Sequence, residues 1–528
     1  MAKRREVVYH NGKLRGHLLT KETCDKLDSL VKLDTQKGYV RELKNIIYEL
    51  TPSDVEMIKR QRSNAGVELV KGELENTQTI GVAYMYFAER LILGDSVGMG
   101  KTVQVCGLCN LLESHLLKQA QEFRFLYLTG KNLVEQSRDE MIKFTGNYVE
   151  TVQGVKDSVS KFCRNNWDYL ESSVVGSHSL IRSLDFQEFM VHYTRDEGFN
   201  PFDVLIIDEA GDVLTNSTTQ TYKAAKELAK MFDRIILLNA TPFEKELRQF
   251  YNQLDFIDDT FLPTKTAFQK EYEEYDYGIG PYPQFNGKYK NAAKFRNEVG
   301  YRYLARTRKS AGATMTNCTA EVFVSPLSVE QNELLKMVSM PNMVYDCPSY
   351  FNMGVPTTID TTPKLYTLLW LLQDRLKDEK SILIYARYKE SQQCIADCLA
   401  EYGYESYILN GESPQELRNA IINKFKLGDI RILITNVQKG LNFGNCNHCI
   451  FYSYDSNPNR MVQFEGRMTR TYNIDNKHVY LLISRGNELK TFKKVVADRA
   501  KASDIFAGSD FSCVLSILLS DDQLANLK

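Results

Sequence analysis

Three groups of residues in this chain have the types and spacing for work on phosphate. The first is Gly98-Met99-Gly100-Lys101-Thr102, within "LGDSVGMGKT" at 93–102. A phosphate-binding loop reads G-x-x-x-x-G-K-[ST], and here its last three positions are filled. Asp95 stands where the first glycine belongs. Glycines let backbone N–H groups approach phosphate oxygens, the lysine reaches the β/γ-phosphates, and the hydroxyl holds Mg²⁺. The alternative is a helix that merely begins Gly-Lys-Thr. The second group is Asp208-Glu209, closing the apolar run of "FDVLIIDEAGDVL". In phosphoryl-transfer sites such an Asp serves Mg²⁺ and such a Glu polarises the attacking water. The third is "QFEGRMTR", in which Arg467 and Arg470 are spaced to share one helical face. Guanidinium groups aimed at a transferring phosphate are worth about 10³–10⁵ in rate. A solvated basic helix face explains the same spacing.

These residues need strands that end at them and helices that begin after them. "RLIL" supplies a strand before the loop and "KTVQVCGLCNLLESHL" a helix after it. From about 71 to 258, apolar runs alternate with helical patterns: "RLILGDS", "FRFLYLTG", "SSVVGSHS", "DVLIIDEA" and "RIILLNAT". The alternation resumes after about 360 with "SILIYARY", "ESYILNG", "IRILITN", "HCIFYSY" and "HVYLLIS". Short continuous apolar runs are the mark of parallel strands buried on both faces. The expected fold is therefore α/β, with two parallel-sheet lobes in tandem. The expected organisation is an accessory segment at 1–70, a first lobe at 71–258, a connector at 259–355, a second lobe at 356–500 and a tail at 501–528. In the accessory segment, Asn11-Gly12 signals a hairpin and Thr51-Pro52 a helix start. The connector is rich in tyrosine, glycine and charge and matches neither sheet pattern.

Length and composition agree with this. The 528 residues exceed one ordinary core, and 43% hydrophobic with 25% charged residues is globular. The net charge of -1 gives no global basic field, so any nucleic-acid contact must use a local groove. Neither a signal-peptide pattern nor an apolar run of spanning length is present, so a soluble, cytoplasmic protein with no membrane partner is expected. The 11 cysteines form no disulfide pattern. Cys446, His448 and Cys449 have metal-ligand types, yet "HCIFYSY" reads as a strand entering a core, which favours buried thiols.

Taken together, the motifs resemble those of superfamily two helicases and translocases, in order, through most of 74–500. "TQTIGVAYM" places Gln78 at the family's adenine-reading glutamine. "FLYLTGKNLVEQSRDEMIKF" and "VVGSHSLIRS" resemble its nucleic-acid-backbone motifs, with Lys131 and Ser177. "LLNATP" matches the coupling motif, with Thr241. "ITNVQKGLNFGNC" matches a second-lobe motif with Thr435, Gly440 and Asn442, and "QFEGRMTR" adds Gln463 to the two arginines. Asp95 in place of glycine, "TPFEKELRQFYNQLDFI", "RYLARTRKS" and "YDSNPNRMVQFEGRMTR" resemble the Swi/Snf-like branch in particular. The resemblance implies two RecA-like lobes and ATP and Mg²⁺ as cofactors. It implies ATP at Gln78, Gly98, Gly100, Lys101 and Thr102, the metal at Thr102 and Asp208, and lobe closure that brings Arg467 and Arg470 to the nucleotide. Its expected partner is nucleic acid, duplex DNA first. The branch's D-E-x-H histidine is replaced by Gly211. No reader domain or long disordered tail is evident, which suits a phage or bacterial protein better than a eukaryotic remodeller. Two other readings stay open: a strand-separating or branch-migrating helicase, and a catalytically silent binding protein. In the connector, Arg302, Arg306, Arg308 and Lys309, with Tyr272 to Tyr289, fit either a solvated helical link or a nucleic-acid contact and wedge.

Overall fold

The computed structural model describes residues 74–117, 122–240, 247–258, 262–276, 284–299, 302–306, 318–337, 341–346, 362–437, 443, 446–454, 464 and 476–494. The accessory segment 1–70 and the tail 501–528, with the hairpin and helix expected near Asn11-Gly12 and Thr51-Pro52, lie outside the described residues. The chain divides into two compact lobes with the break between 313 and 314. Each is built on its own parallel sheet, as the apolar runs predict.

The first lobe carries seven parallel strands: β1 (Arg90–Leu93), β2 (Phe125–Thr129), β3 (Val149–Val152), β4 (Ser173–Ser177), β5 (Val204–Asp208), β6 (Ile235–Leu238) and, after the antiparallel hairpin β7 (Glu273–Asp276) and β8 (Gln284–Tyr289), the two-residue β9 (Tyr303–Leu304). Their order across the sheet is β3-β4-β2-β5-β6-β1-β9. Leu91, Leu93, Tyr127, Ile206, Ile236 and Leu238 share one core with helices Asn76–Ala88 and Lys101–Leu117. Ile92, Leu128, Ile207 and Leu237 are buried too, on alternate strand positions. Both faces are covered, which explains the continuous apolar runs.

The second lobe carries six parallel strands: β10 (Cys318–Ser325), β11 (Ile382–Tyr385), β12 (Ser406–Leu409), β13 (Ile432–Thr435), β14 (His448–Phe451) and β15 (Lys477–Ser484), ordered β10-β15-β14-β11-β13-β12. Leu383, Leu433, Phe451 and Leu481 face Phe425 of helix Gln415–Leu427. Ile384, Ile434, Ile450 and Leu482 face Leu365, Leu368, Ile395 and Leu399 of helices Pro363–Trp370 and Lys389–Glu401. Cys446 and Cys449 are fully buried. Burial pushes the Cys446 thiol up to about 12, and its Sγ donates to the carbonyls of Ser381 and His448 at 3.3 and 3.1 Å.

The stretch expected as a connector, 259–355, supplies strands to both sheets. β9 runs parallel to β1, and β10 pairs with all of β15. Neither was visible as an apolar run: β9 is two residues long, and β10 alternates as "CTAEVFVS". Tyr272 is 1% exposed and packs its ring 4.9 Å from Phe268 and 5.2 Å from Phe295.

The second lobe is closed at its strand ends by a buried charge cluster. Lys364 Nζ, fully buried, lies 2.9 Å from Asp346 Oδ1 and 2.9 Å from Glu488 Oε2. Glu488 also accepts the Ser484 and Tyr454 N–H groups at 2.6 and 3.3 Å. The Ser453 hydroxyl donates to Asp346 Oδ2. Burial pushes the Glu488 carboxyl up, and the Lys364 ammonium opposes it. Removing one partner of such a cluster leaves uncompensated buried charge. Lys364→Met should therefore cost the second lobe about 3–5 kcal/mol, read as an earlier denaturant midpoint for that lobe. An unchanged midpoint would show that the two carboxylates are neutral without the lysine.

Candidate active site

β1 ends at Leu93 and the helix begins at Lys101; the loop between them must turn tightly. Gly98 and Gly100 take φ of 84° and 72°, the left-handed region that glycine enters without a Cβ clash. Gly100 has a second reason to be glycine: a Cβ there would stand 2.7 Å from Gln78 Nε2. Gln78 sits on the preceding helix, where its side chain accepts the Glu75 N–H at 3.0 Å and donates to the Met99 carbonyl at 3.4 Å. The adenine-reading candidate is thus in contact with the phosphate loop. Lys101 Nζ turns back along the loop to the carbonyls of Asp95 (2.7 Å) and Ser96 (3.4 Å). Thr102 follows in the first helical turn, half-buried.

Asp95 explains why the first glycine is dispensable. Its side chain is completely buried. Oδ1 accepts from Arg306 N and Nε at 3.1 and 3.0 Å; Oδ2 accepts from Arg306 Nη2 at 2.5 Å and Gln104 Nε2 at 2.9 Å. Arg306 Nη2 also donates to Gln104 Oε1 at 2.9 Å, and Nη1 to the Thr77 carbonyl. A Cβ on Gly81 would overlap the Gln104 amide, so glycine at 81 leaves the cluster its room. Four residues earlier, Arg302 is buried against Asp258 at 2.6 Å and donates to the Ala88 carbonyl at 3.0 Å. This corrects both connector readings for these two arginines. They are neither solvated nor turned to nucleic acid; they fasten β9 to β1 and to the loop. Arg308 and Lys309 lie outside the described residues.

Asp208 and Glu209 emerge from β5 at the same carboxyl-terminal edge of the sheet. Asp208 Oδ1 accepts the Glu209 N–H at 2.9 Å, and the Asp208 carbonyl is 2.8 Å from His178 Nε2. Burial pushes the Asp208 carboxyl up; the Lys101 ammonium and the Glu209 N–H pull it back down. Lys101 and Asp208 are therefore within electrostatic reach, as a shared phosphate–metal site requires. A Thr102 hydroxyl and an Asp208 carboxylate are hard oxygen donors that suit Mg²⁺. Glu209 has φ of 50°, an unusual conformation for a non-glycine residue at a strand end. Gly211 packs where a Cβ would stand 3.0 Å from Asn239 Nδ2.

Of the expected nucleic-acid contacts, Lys131 is exposed in the turn after β2. Ser177 is 1% exposed; its hydroxyl accepts the Gly154 N–H at 2.9 Å and meets Ser179 Oγ at 2.8 Å. Thr435 is fully buried and its hydroxyl accepts the Val437 N–H at 3.0 Å. The Ser177 hydroxyl fastens the loop after β3 to the one after β4, and the Thr435 hydroxyl fastens its own loop. Thr241, Gly440, Asn442, Gln463, Arg467 and Arg470 lie outside the described residues. The sequence reading misplaced Arg306, although "RYLARTRKS" carried a signal for it, and it missed Gln104 and His178.

Fold and site together define a phosphate-loop protein of two parallel-sheet lobes. Residues 77–353 match the SNF2-related domain and residues 363–472 the helicase conserved C-terminal domain. The chain belongs to the SNF2-related family. It is 23% identical over 453 residues to the uncharacterized ATP-dependent helicase YqhH of Bacillus subtilis, covering 78% of this chain and 76% of that protein. It is 23% identical over 491 residues to the DNA repair and recombination protein RAD54B of Gallus gallus, covering 77% of this chain and 50% of that protein. The chain thus spans only about half the length of this second relative. A solved structure, the Sulfolobus solfataricus SWI2/SNF2 ATPase core in complex with dsDNA, matches 88% of this chain and 99% of its own at 17% identity, with a TM-score of 0.37. No helix among the described residues is long and apolar enough to cross a membrane.

One outcome follows from the geometry. Arg306→Gln should leave Asp95 buried without its cation, weakening ATP binding and costing about 3–5 kcal/mol of first-lobe stability; wild-type ATP affinity and melting would refute this.

Proposed function

We propose that this chain hydrolyses ATP with Mg²⁺ and uses the energy to move along nucleic acid, duplex DNA in the first place. The observation that carries the reading is the phosphate loop bearing Lys101 at the same sheet edge as Asp208 and Glu209, with the Lys101 charge acting on the Asp208 carboxyl. Lys101 neutralises the β/γ-phosphates and Gln78 orients the base. Thr102 and Asp208 hold the metal, which supplies positive charge to the phosphate oxygens. Glu209 orients the attacking water and takes up its proton. Arg467 and Arg470 add charge to the γ-phosphoryl group as it leaves, on lobe closure, with Gln463 beside them. Thr241 and Gly440 couple this step to the polymer. Lys131 and Asn442, with the backbone amides around Ser177 and Thr435, grip its phosphates without reading sequence. The relatives' description as DNA repair and recombination proteins supports DNA as the polymer.

Opening strands requires a wedge, since each base-pair step costs about 1.4 kcal/mol. The described rings of the tyrosine-rich stretch are poorly placed to act as one. Tyr272 is buried, and the rings of Tyr275, Phe285 and Tyr289 pack on one another at 6.1 and 5.2 Å. This favours tracking of duplex over unwinding.

Lys101→Ala should abolish turnover, and Glu209→Gln should bind ATP but not hydrolyse it. Arg470→Ala should lower kcat by about 10³-fold or more with a smaller change in ATP affinity. Near-wild-type hydrolysis by either of the first two would refute the site. Duplex DNA, single-stranded DNA and RNA compared side by side should rank duplex DNA first as activator. The wild type should displace the third strand of a DNA triplex and leave a forked duplex largely intact. Efficient fork opening would instead favour the strand-separating helicase.

A further inference from the structure

The carboxyl-terminal edge of the first sheet bears a second polar cleft, apart from the phosphate loop. It is about 390 Å³. One wall is the turn Thr215–Thr218, which follows the Asp208-Glu209 segment and leads into helix Gln220–Ala229. The other is the first half of helix Leu247–Ile257, with Arg248, Gln249 and Asn252, and Lys265 closes the rim. Every lining side chain is a hydroxyl, an amide or a cation; none is a carboxylate and none is apolar. Small-molecule pockets are mostly apolar. Arg, Lys, Ser, Thr, Asn and Gln beside a helix N-terminus are instead the groups that hold the phosphates of a nucleic-acid backbone.

The cleft is also rigidly built. Asn252 is 3% exposed; its Nδ2 donates to the Thr215 carbonyl at 2.6 Å and its Oδ1 accepts from Lys265 Nζ at 3.2 Å. One residue tethers both walls and one of the two cations. Within the turn, Asn216 Oδ1 accepts the Thr218 N–H at 3.1 Å and hydroxyl at 2.8 Å, which fixes its shape. Behind the cleft runs a buried amide chain. Gln253 Nε2 donates to the Gln249 carbonyl at 3.2 Å, and Gln253 Oε1 accepts from Asn239 Nδ2 at 2.7 Å. Asn239 is the side chain against Gly211, three residues past Asp208. A ligand seated here pulls on the helix that this chain ties to the Asp-Glu segment.

We propose that the cleft formed by Thr215–Thr218, Arg248, Asn252 and Lys265 seats a phosphodiester of the nucleic-acid backbone. This rests on the reading of the chain as a nucleic-acid-dependent ATPase, and makes the turn after the Asp-Glu segment one of its grips on the polymer.

The test is equilibrium binding of a short labelled duplex DNA by the full chain, without nucleotide, over a range of salt concentrations. Arg248→Ala and Lys265→Ala should each weaken binding severalfold. Each should also lower the slope of log K against log salt by about 0.9, the loss of one phosphate contact. Lys156→Ala, which removes an exposed charge elsewhere in the lobe, should do neither. If both cleft variants behave as Lys156→Ala does, with unchanged melting temperatures, the cleft is not a phosphate grip. Inorganic phosphate titrated into wild type and Arg248→Ala separates the alternative source. Saturable phosphate binding that the variant loses while keeping wild-type affinity for duplex would make this a free-anion site and overturn the proposal. Failure of the wild type to bind any nucleic acid would strike the broader function itself, a result distinct from a defect confined to the cleft variants.

Discussion

The loop that carries Lys101 stands on one buried ion pair, Asp95 with Arg306. Taking two charges out of water costs several kcal/mol per ion, and attraction offsets that only when every polar group finds a partner. Here the carboxylate receives four donors, and the guanidinium also reaches Gln104 and the Thr77 carbonyl. The pair therefore draws together the helix before β1, the loop, the helix after it and a segment from the far end of the lobe. The backbone repeats the fastening: Ile92, Gly94 and Ser96 donate N–H groups to the carbonyls of Arg302, Leu304 and Arg306 at 2.8, 2.7 and 3.0 Å. A glycine at 95 would leave the buried arginine without its counter-charge. Asp95 is thus a different way of fixing a phosphate loop rather than a degraded one. It also makes the lobe incomplete until residue 306 has been reached, close to the break before the second lobe.

What could be read from the sequence divides along this line. β1, β2, β5, β6, β11 and β13 to β15 announce themselves because burial on both faces demands unbroken apolar runs. Lys101 and Asp208 were legible because strand, loop and helix are local. β3 escaped because "VETV" keeps its two middle residues half-buried, and β9 because its contribution is backbone pairing along β1. Arg302 and Arg306 looked like surface charge since their partners, Asp258 and Asp95, are remote in sequence; the latter lies 211 residues away. Ser177 and Thr435 were picked for their hydroxyls, and the residue type was right for a loop. Motif position could not say which way a hydroxyl points. Both turn inward, Ser177 to the neighbouring loop at Gly154 and Thr435 to its own turn at Val437.

The Asp-Glu segment shows how a departure from the family pattern is absorbed. With glycine at 211, the position of the family's histidine carries no side chain of its own. The space beside it is taken by Asn239, whose amide donates to Gln253. Amides hydrogen-bond in fixed directions and do not titrate near neutral pH, whereas a histidine in the same place would change charge there. This link is therefore independent of pH by its chemistry, and the titration that matters is left to Asp208.

Glu209 completes that argument. Its left-handed backbone is disfavoured by roughly 1–2 kcal/mol for a residue with a Cβ. It persists because both neighbours are fixed. The Asp208 carbonyl is held by His178 at 2.8 Å, and the Ala210 N–H donates to the Leu238 carbonyl at 3.1 Å. The Glu209 carbonyl then accepts the Asp212 N–H at 2.9 Å. Three bonds from β4, β6 and the following turn determine where the chain reverses. The point from which the Glu209 side chain departs is thus set by main chain that cannot relax without breaking them. In the general-base role proposed for it, Glu209 gains from this, since a side chain anchored before the substrate arrives loses less freedom on orienting water. The strain at 209 and the desolvation of Asp208 are local costs that the surrounding sheet sustains, and both fall on the two residues to which the proposed function gives the chemistry.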